Sequence, residues 1–261
     1  MKFIKTLIKD GGILLVATMG ANVANGLFQL IMGGMLKPRQ FGVLTSLLSL
    51  FLIILVPVAA MQTMTTKYVA NFKAADDFAK IKQLLISTTK YLIVIGAVSA
   101  LVMATAAGEI AAFFKLSSEL PVLIIAAGLF FALVLPVGRG VLQGLQKFNL
   151  LGINILAGTI TKLLVAVVLV YLGYGAAGAL MGIVIGPVVA IILLEPVLVK
   201  LLRKHQPAVS LNLRKIYRFF WPTAATIFFF NLLIGADIII VKHFFTPKWA
   251  GYYAGAVTMG K

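Results

Sequence analysis

The chain has 261 residues, 61% hydrophobic and 11% charged, with 23 Lys and Arg against 7 Asp and Glu. A soluble domain is about 45–50% apolar and about 25% charged. At a mean hydropathy of +1.07 a water-soluble enzyme is therefore excluded, and so is a disordered chain, which needs low hydrophobicity. The absence of cysteine excludes disulfide frameworks, thiolate metal sites, cysteine nucleophiles and iron–sulfur clusters.

Crossing the hydrocarbon core takes about 20 mostly apolar residues. Seven stretches meet that demand in chain order: 12–36, 41–66, 90–112, 120–143, 150–172, 176–200 and 219–241, and an eighth starts near Gly251. Backbone polar groups in lipid must bond within the segment, so these are helices, and no alternation of the barrel type is seen. Between them stand Pro38, Arg39, Pro121, Asn149, Gly173, Gly175 and Pro247, residues that break helices. The fold class expected is all-α, a polytopic membrane protein.

The charges orient it. With the N-terminus in the cytoplasm, sixteen of the 23 Lys and Arg fall in cytoplasmic segments and five on the far side. That bias is a positive-inside signal for a multi-pass protein of the cell inner (plasma) membrane. The net charge of +16 is thus a topology signal, and nucleic acid is not an expected partner, because the charges are split among loops. Two cytoplasmic segments have an interfacial pattern: Phe3, Ile4, Leu7 and Ile8 beside Lys2, Lys5 and Lys9, and Phe78, Ile81, Leu84 and Leu85 beside Lys73, Lys80 and Lys82. Each reads equally as an interfacial helix or as a helical extension of a span.

A repeat is visible. Pro38-Arg39 with Gly42, and Pro247-Lys248 with Gly251, stand 209 residues apart, and that offset aligns Asn22 with Asn231. Six spans separate the copies, so both have the same orientation. Such a parallel repeat places a substrate site between two halves. The reading divides the chain into a six-helix bundle with an N-terminal interfacial segment, 1–205, and a cytoplasmic linker with the first spans of a second bundle, 206–261. A complete protein of this plan has roughly twice that repeat and about twelve spans, the arrangement of a pseudo-two-fold transporter.

Leu36-Lys37-Pro38-Arg39-Gln40-Phe41-Gly42-Val43-Leu44, the stretch from Pro136 to Phe148 that contains Gly138-Arg139-Gly140 and Gly144-Leu145-Gln146-Lys147, and Asp237 to Pro247 carry a resemblance. The chain resembles bacterial polysaccharide exporters, the O-antigen and teichoic-acid type flippases of the multidrug/oligosaccharidyl-lipid/polysaccharide exporter superfamily. The resemblance implies two six-helix bundles facing a central cavity. It also implies movement of a polyprenyl-diphosphate-linked oligosaccharide from the inner to the outer leaflet for cell-surface polysaccharide synthesis.

Such transport makes and breaks no bond, so neither an enzyme's catalytic groups nor a cofactor or metal is expected. The partners expected are the lipid-linked oligosaccharide, the bilayer and a coupling Na+ or H+. The headgroup needs a polar, cationic path through about 30 Å of hydrocarbon, and the polar residues within spans are the candidates. Lys162 sits in the middle of the fifth span, where a cation costs about 2.5–3.5 kcal/mol on insertion scales. Asn154, Gly158 and Thr161 flank it, and it reads as a diphosphate or sugar contact, a snorkelling cation or an ion-pair member. Asn22, Asn25 and Gln29 share one face of the first span, for sugar hydroxyls or for interhelical bonding. Gln62, with Thr63, Thr65 and Thr66, extends that surface. Arg139 and Gln143 lie one turn apart beyond Pro136, so Arg139 is a bidentate phosphate ligand or a positive-inside anchor. Asp237, on the face of Thr223 and Thr226, is a coupling-ion site, a proton site or a counter-charge, while Glu109 and Glu195 lie near span ends. The alternative function is a cation-coupled multidrug antiporter of the same superfamily, which would carry deeper carboxylates.

Overall fold

The computed structural model describes residues 2–114, 116–203, 209, 211 and 213–244, and their side chains outside 2–10, 53, 56–57, 215 and 231–244. The helices are α1 (Lys2–Met35), α2 (Pro38–Ala74), α3 (Phe78–Thr105), α4 (Ala107–Phe113), α5 (Leu120–Gly144), α6 (Phe148–Leu169), α7 (Gly175–Arg203) and α8 (Leu213–Phe244). They are long because lipid leaves the backbone no partner outside its own helix. Four described stretches are long and apolar enough to cross a membrane, and Phe148–Arg203, at 56 residues, is two crossings joined by a break. This is a multi-pass membrane protein.

That break has a backbone cause. A π-helical turn, Val170–Tyr174, ends α6, and Gly173 (φ 93°) and Gly175 (φ 54°) take left-handed conformations that only glycine adopts cheaply. A Cβ on Gly175 would also lie 2.5 Å from the Gln40 side-chain nitrogen. The third span differs from its expected single helix, because it divides at Ala106 into α3 and α4. There the Thr105 hydroxyl donates back to the Val102 carbonyl at 3.0 Å, a local bond that favours bending.

The backbone joins both segments with an interfacial pattern to neighbouring long helices. α1 is continuous from Lys2. α2 and α3 run past their apolar stretches to a tight turn at Ala75–Asp77, and Ile81, Leu84 and Leu85 are buried against other helices. Asp77 caps α3, accepting from the Lys80 amide at 3.0 Å and pairing with its ammonium at 2.6 Å. The Lys80 side-chain and backbone bonds hold the Asp77 carboxyl below the usual carboxylate range.

Helices approach closely where glycines recur every four residues. On α5, Gly140 and Gly144 admit α2; a Cβ there would meet Thr65 Cβ at 2.7 Å and Val69 Cβ at 2.6 Å. On α7, Gly178, Gly182 and Gly186 admit α6. Without a hydrophobic drive between helices in lipid, such close packing is what holds a bundle together. Phe28, Met32, Leu44, Leu47, Ile125, Leu129 and Leu180 form one cluster of the core. Met61, Met64, Ile81, Leu84, Val141 and, from α8, Ile216 form a second, and Leu135, Leu142, Leu151, Ala190 and Leu194 a third. A belt of exposed apolar residues surrounds the bundle, among them Met19, Val23, Val98, Leu101, Ile160 and Leu164. Water would not tolerate such a surface; lipid requires it.

Candidate substrate cavity

A cavity of about 310 Å³ opens between α2, α5, α6 and α7, lined by Phe51 and Gln62, Pro136 and Arg139, Gly158 and Lys162, and Gly186 and Pro187. Its charged lining is two cations, and no described lining residue is a carboxylate. Each is held by a neutral amide from elsewhere in the fold. The Lys162 ammonium donates to the Asn25 side-chain carbonyl of α1 and stands 4.7 Å from the centre of the Phe28 ring, a cation–π contact. Arg139 Nε donates to Asn154 Oδ1 at 2.8 Å, and Asn154 Nδ2 donates to the Ala190 carbonyl of α7 at 2.6 Å.

The pairings explain how α6 carries both contacts. Asn154, Gly158 and Lys162 recur every four residues, so they form one stripe along the helix. Asn154 lies at the foot of that stripe, 2% exposed, and does not line the cavity. Its place is beneath Arg139. A Cβ on Gly158 would come within 3.6 Å of Arg139 Nη2, so the guanidinium lies beside Gly158, about 6 Å of helix rise below Lys162.

The other polar residues fall into two groups. Asn22, Asn25 and Gln29 are exposed, and the helical period puts them about 120° around α1 from the exposed apolar Val16, Met19, Val23 and Leu27. α1 thus presents separate polar and apolar flanks. Gln62 Nε2 donates to Gln143 Oε1 at 3.1 Å, and the Thr66 hydroxyl donates to the same oxygen at 3.3 Å, an interhelical clasp between α2 and α5. Of that pair only Gln62 reaches the cavity. Thr65 is fully buried against Gly140 and belongs to the helix contact, which corrects its expected place on the surface with Gln62. Thr159, not Thr161, accompanies Lys162 in the lining. Glu109 and Glu195 are exposed.

Asp237 and Asn231 lie on a part of α8 whose side chains are outside the described residues, as is the whole repeat turn at 245–251. Thr223 and Thr226 donate to their own helix, to Phe219 and Pro222 carbonyls, each at 2.8 Å. Phe28 and the Ala190 carbonyl were not legible as site groups. Phe28 lies one turn beyond Asn25 and carried that signal; a backbone carbonyl carries none.

The family described as "Polysaccharide biosynthesis protein" matches residues 31–261. The chain belongs to that family. No match is found among the curated proteins. Among solved structures, this polysaccharide biosynthesis family protein is similar to a mutant MATE transporter of Vibrio cholerae, with a TM-score of 0.82 and 14% identity, covering 97% of this chain and 60% of that one. It is similar to an outward-facing multidrug resistance MATE transporter of the MOP superfamily, with a TM-score of 0.74 and 17% identity over 91% of this chain and 56% of that one. A MOP superfamily transporter from Pyrococcus furiosus, described as having a binding pocket of reverse polarity, gives a TM-score of 0.72 and 17% identity over 90% and 54%. At such identities the likeness is one of fold. The chain spans a little over half the length of these structures.

Proposed function

We propose that this protein belongs to a transporter that flips a polyprenyl-diphosphate-linked oligosaccharide from the inner to the outer leaflet of the plasma membrane, with its N-terminus in the cytoplasm. The reading rests on one observation: the cavity of the six-helix bundle presents Lys162 and Arg139 and no described carboxylate. A diphosphate leaving water loses solvation worth far more than a hydrogen bond, and fixed cations in a low-dielectric cavity offset part of that loss. Two cations about one turn apart match a doubly anionic headgroup better than an organic cation. The polar flank of α1, with Asn22, Asn25 and Gln29, then offers amides to sugar hydroxyls, and Gln62 adds one from α2. Gln143 and Asn154 act by holding Gln62 and Arg139.

In this reading residues 1–205 are one bundle and 206–261 begin the second. Asp237 holds the coupling Na+ or H+, or balances the cavity charge when no substrate is bound. A multidrug antiporter, the alternative, needs the opposite polarity in this cavity. The test is export of surface polysaccharide by the full-length protein carrying Lys162→Gln, Lys162→Arg or Lys162→Glu at equal membrane abundance. Export falls in the Gln and Glu variants and is partly kept in the Arg variant. Full export with Gln would show the charge to be dispensable and the reading wrong.

A further inference from the structure

Beside the charged cavity, around α2 and α5, lie two apolar hollows, and Val58 lines both the cavity and one of them. One, about 690 Å³, is walled by α2, α3, α4 and α5; the other, about 400 Å³, by α2, α3, α5 and α8. Both include Ile54 and Ser99, so they form one furrow along α3. It continues along α4 past Glu109 to Phe113, at the end away from Tyr91, and its α3 part, Tyr91 to Met103, runs twelve residues, about 18 Å of helix. That is close to one leaflet of a hydrocarbon core about 30 Å thick.

The furrow has a distinct end. Tyr91 of α3 and Tyr217 of α8 pack with ring centroids 5.3 Å apart, and Trp221, 74% exposed, stands beside them in the lining. Tyr and Trp gather at the level of lipid headgroups. Next to these rings in the chain are Lys90, Arg214 and Arg218, all exposed. None has an ion-pair partner among the described residues. The carboxylates nearest in sequence, Asp76 and Asp77, precede α3, about 18 Å of helix from Lys90, and Asp77 is taken by Lys80.

We propose that this furrow is a binding site for one anionic phospholipid of the leaflet on the Lys- and Arg-rich side. A chain lies along α3, and the phosphate sits among Lys90, Arg214 and Arg218. The apolar length selects a lipid chain, the aromatic end places its headgroup, and three uncompensated cations select negative charge over a zwitterion. The lipid would fill the space between α3 and the start of α8, tying the seventh span to the bundle. The site shares neither Lys162 nor Arg139, so it stands or falls separately from the transport reading.

Trp221 is the reporter. With Trp249→Phe it becomes the single tryptophan of the two in the chain, and brominated lipid chains quench it on contact. In phosphatidylcholine nanodiscs, brominated phosphatidylglycerol should half-quench Trp221 at a mole fraction about a hundredfold lower than brominated phosphatidylcholine, since each of the three cations beside an anionic headgroup contributes about fivefold. Lys90→Gln, Arg214→Gln and Arg218→Gln together should erase that difference. Lys147→Gln, Lys200→Gln and Arg203→Gln, the same charge change elsewhere on that side, should preserve it. Ser99→Phe, which fills the furrow and keeps the cations, should weaken quenching by both lipids. Equal quenching by the two lipids in the unsubstituted background overturns the site, and so does equal loss in the two charge variants. Unchanged quenching with Ser99→Phe overturns the placement of the chain.

Discussion

Asn154 is buried at 2% exposure, and both its side-chain atoms are used, one by Arg139 Nε and one by the Ala190 carbonyl. Replacing it with Leu keeps volume and removes both bonds. In soluble interiors a hydrogen bond to a charged group is worth about 1.5–3 kcal/mol, whereas interhelical bonds in membranes average about 0.6 kcal/mol and reach about 1.7. The geometry decides between them. Ala190 lies inside α7 and keeps its place in the helical ladder, so little is lost there. Arg139 faces the cavity with its terminal nitrogens and can regain water for those, but its Nε points into the dry contact with α6. A coupling of about 1–2 kcal/mol follows, at the upper end of the membrane range. It is measured as a double-mutant cycle of Asn154→Leu and Arg139→Met, by unfolding equilibrium in mixed micelles. Asn154→Leu alone should also lower export, while Asn154→Gln or His, which keep a polar group, should recover part of it. A coupling below about 0.3 kcal/mol, within the error of additivity, would refute the claim that Asn154 holds Arg139.

Gly140→Ala brings a Cβ to 2.7 Å from Thr65 Cβ and 2.9 Å from the Gln62 carbonyl, and the backbone cannot retreat; about 1–3 kcal/mol of stability should be lost, while Gly26→Ala, with open space around it, should lose none. Gly175→Ala combines a left-handed backbone with the clash against Gln40 and should cost about 1–3 kcal/mol; adding Gln40→Ala should recover only the steric share, as a thermal midpoint series would show. The Asp77 carboxyl is held below its usual 3.8 by Lys80, so its capping contribution is present above that value and is lost as pH falls through the lowered one. Amide exchange at the start of α3, corrected for intrinsic rates, should accelerate over that acid interval in the unsubstituted protein and be pH-independent there in Asp77→Asn.

The bilayer makes much of this structure readable from composition. Apolar runs long enough to cross it must be helices, so the all-helical fold and most helix boundaries among the described residues followed from hydropathy and from Pro and Gly alone. A cation in mid-span must find a polar surface, so the sequence alone marks Lys162 as a residue that needs a polar neighbour. Asn25 shared its face with Asn22 and Gln29 for the same periodic reason. What tertiary packing decided was which polar groups meet. Asn154 and Lys162 lie on one stripe, yet the close approach of α6 to α7 at Gly158 and Gly186 buries the first and leaves the second in a cavity. Arg139 was equally an anchor or a ligand by sequence, because nothing in its own helix says which way a long side chain turns. Asn154 and the Ala190 carbonyl supply that answer from two other helices. The bend at Ala106 and the docking of Ile216, Tyr217 and Phe220 on α2 and α3 likewise had no local signature. Hydropathy records the solvent that each segment meets, but contacts between helices depend on shape, and shape exists only once the helices have been brought together.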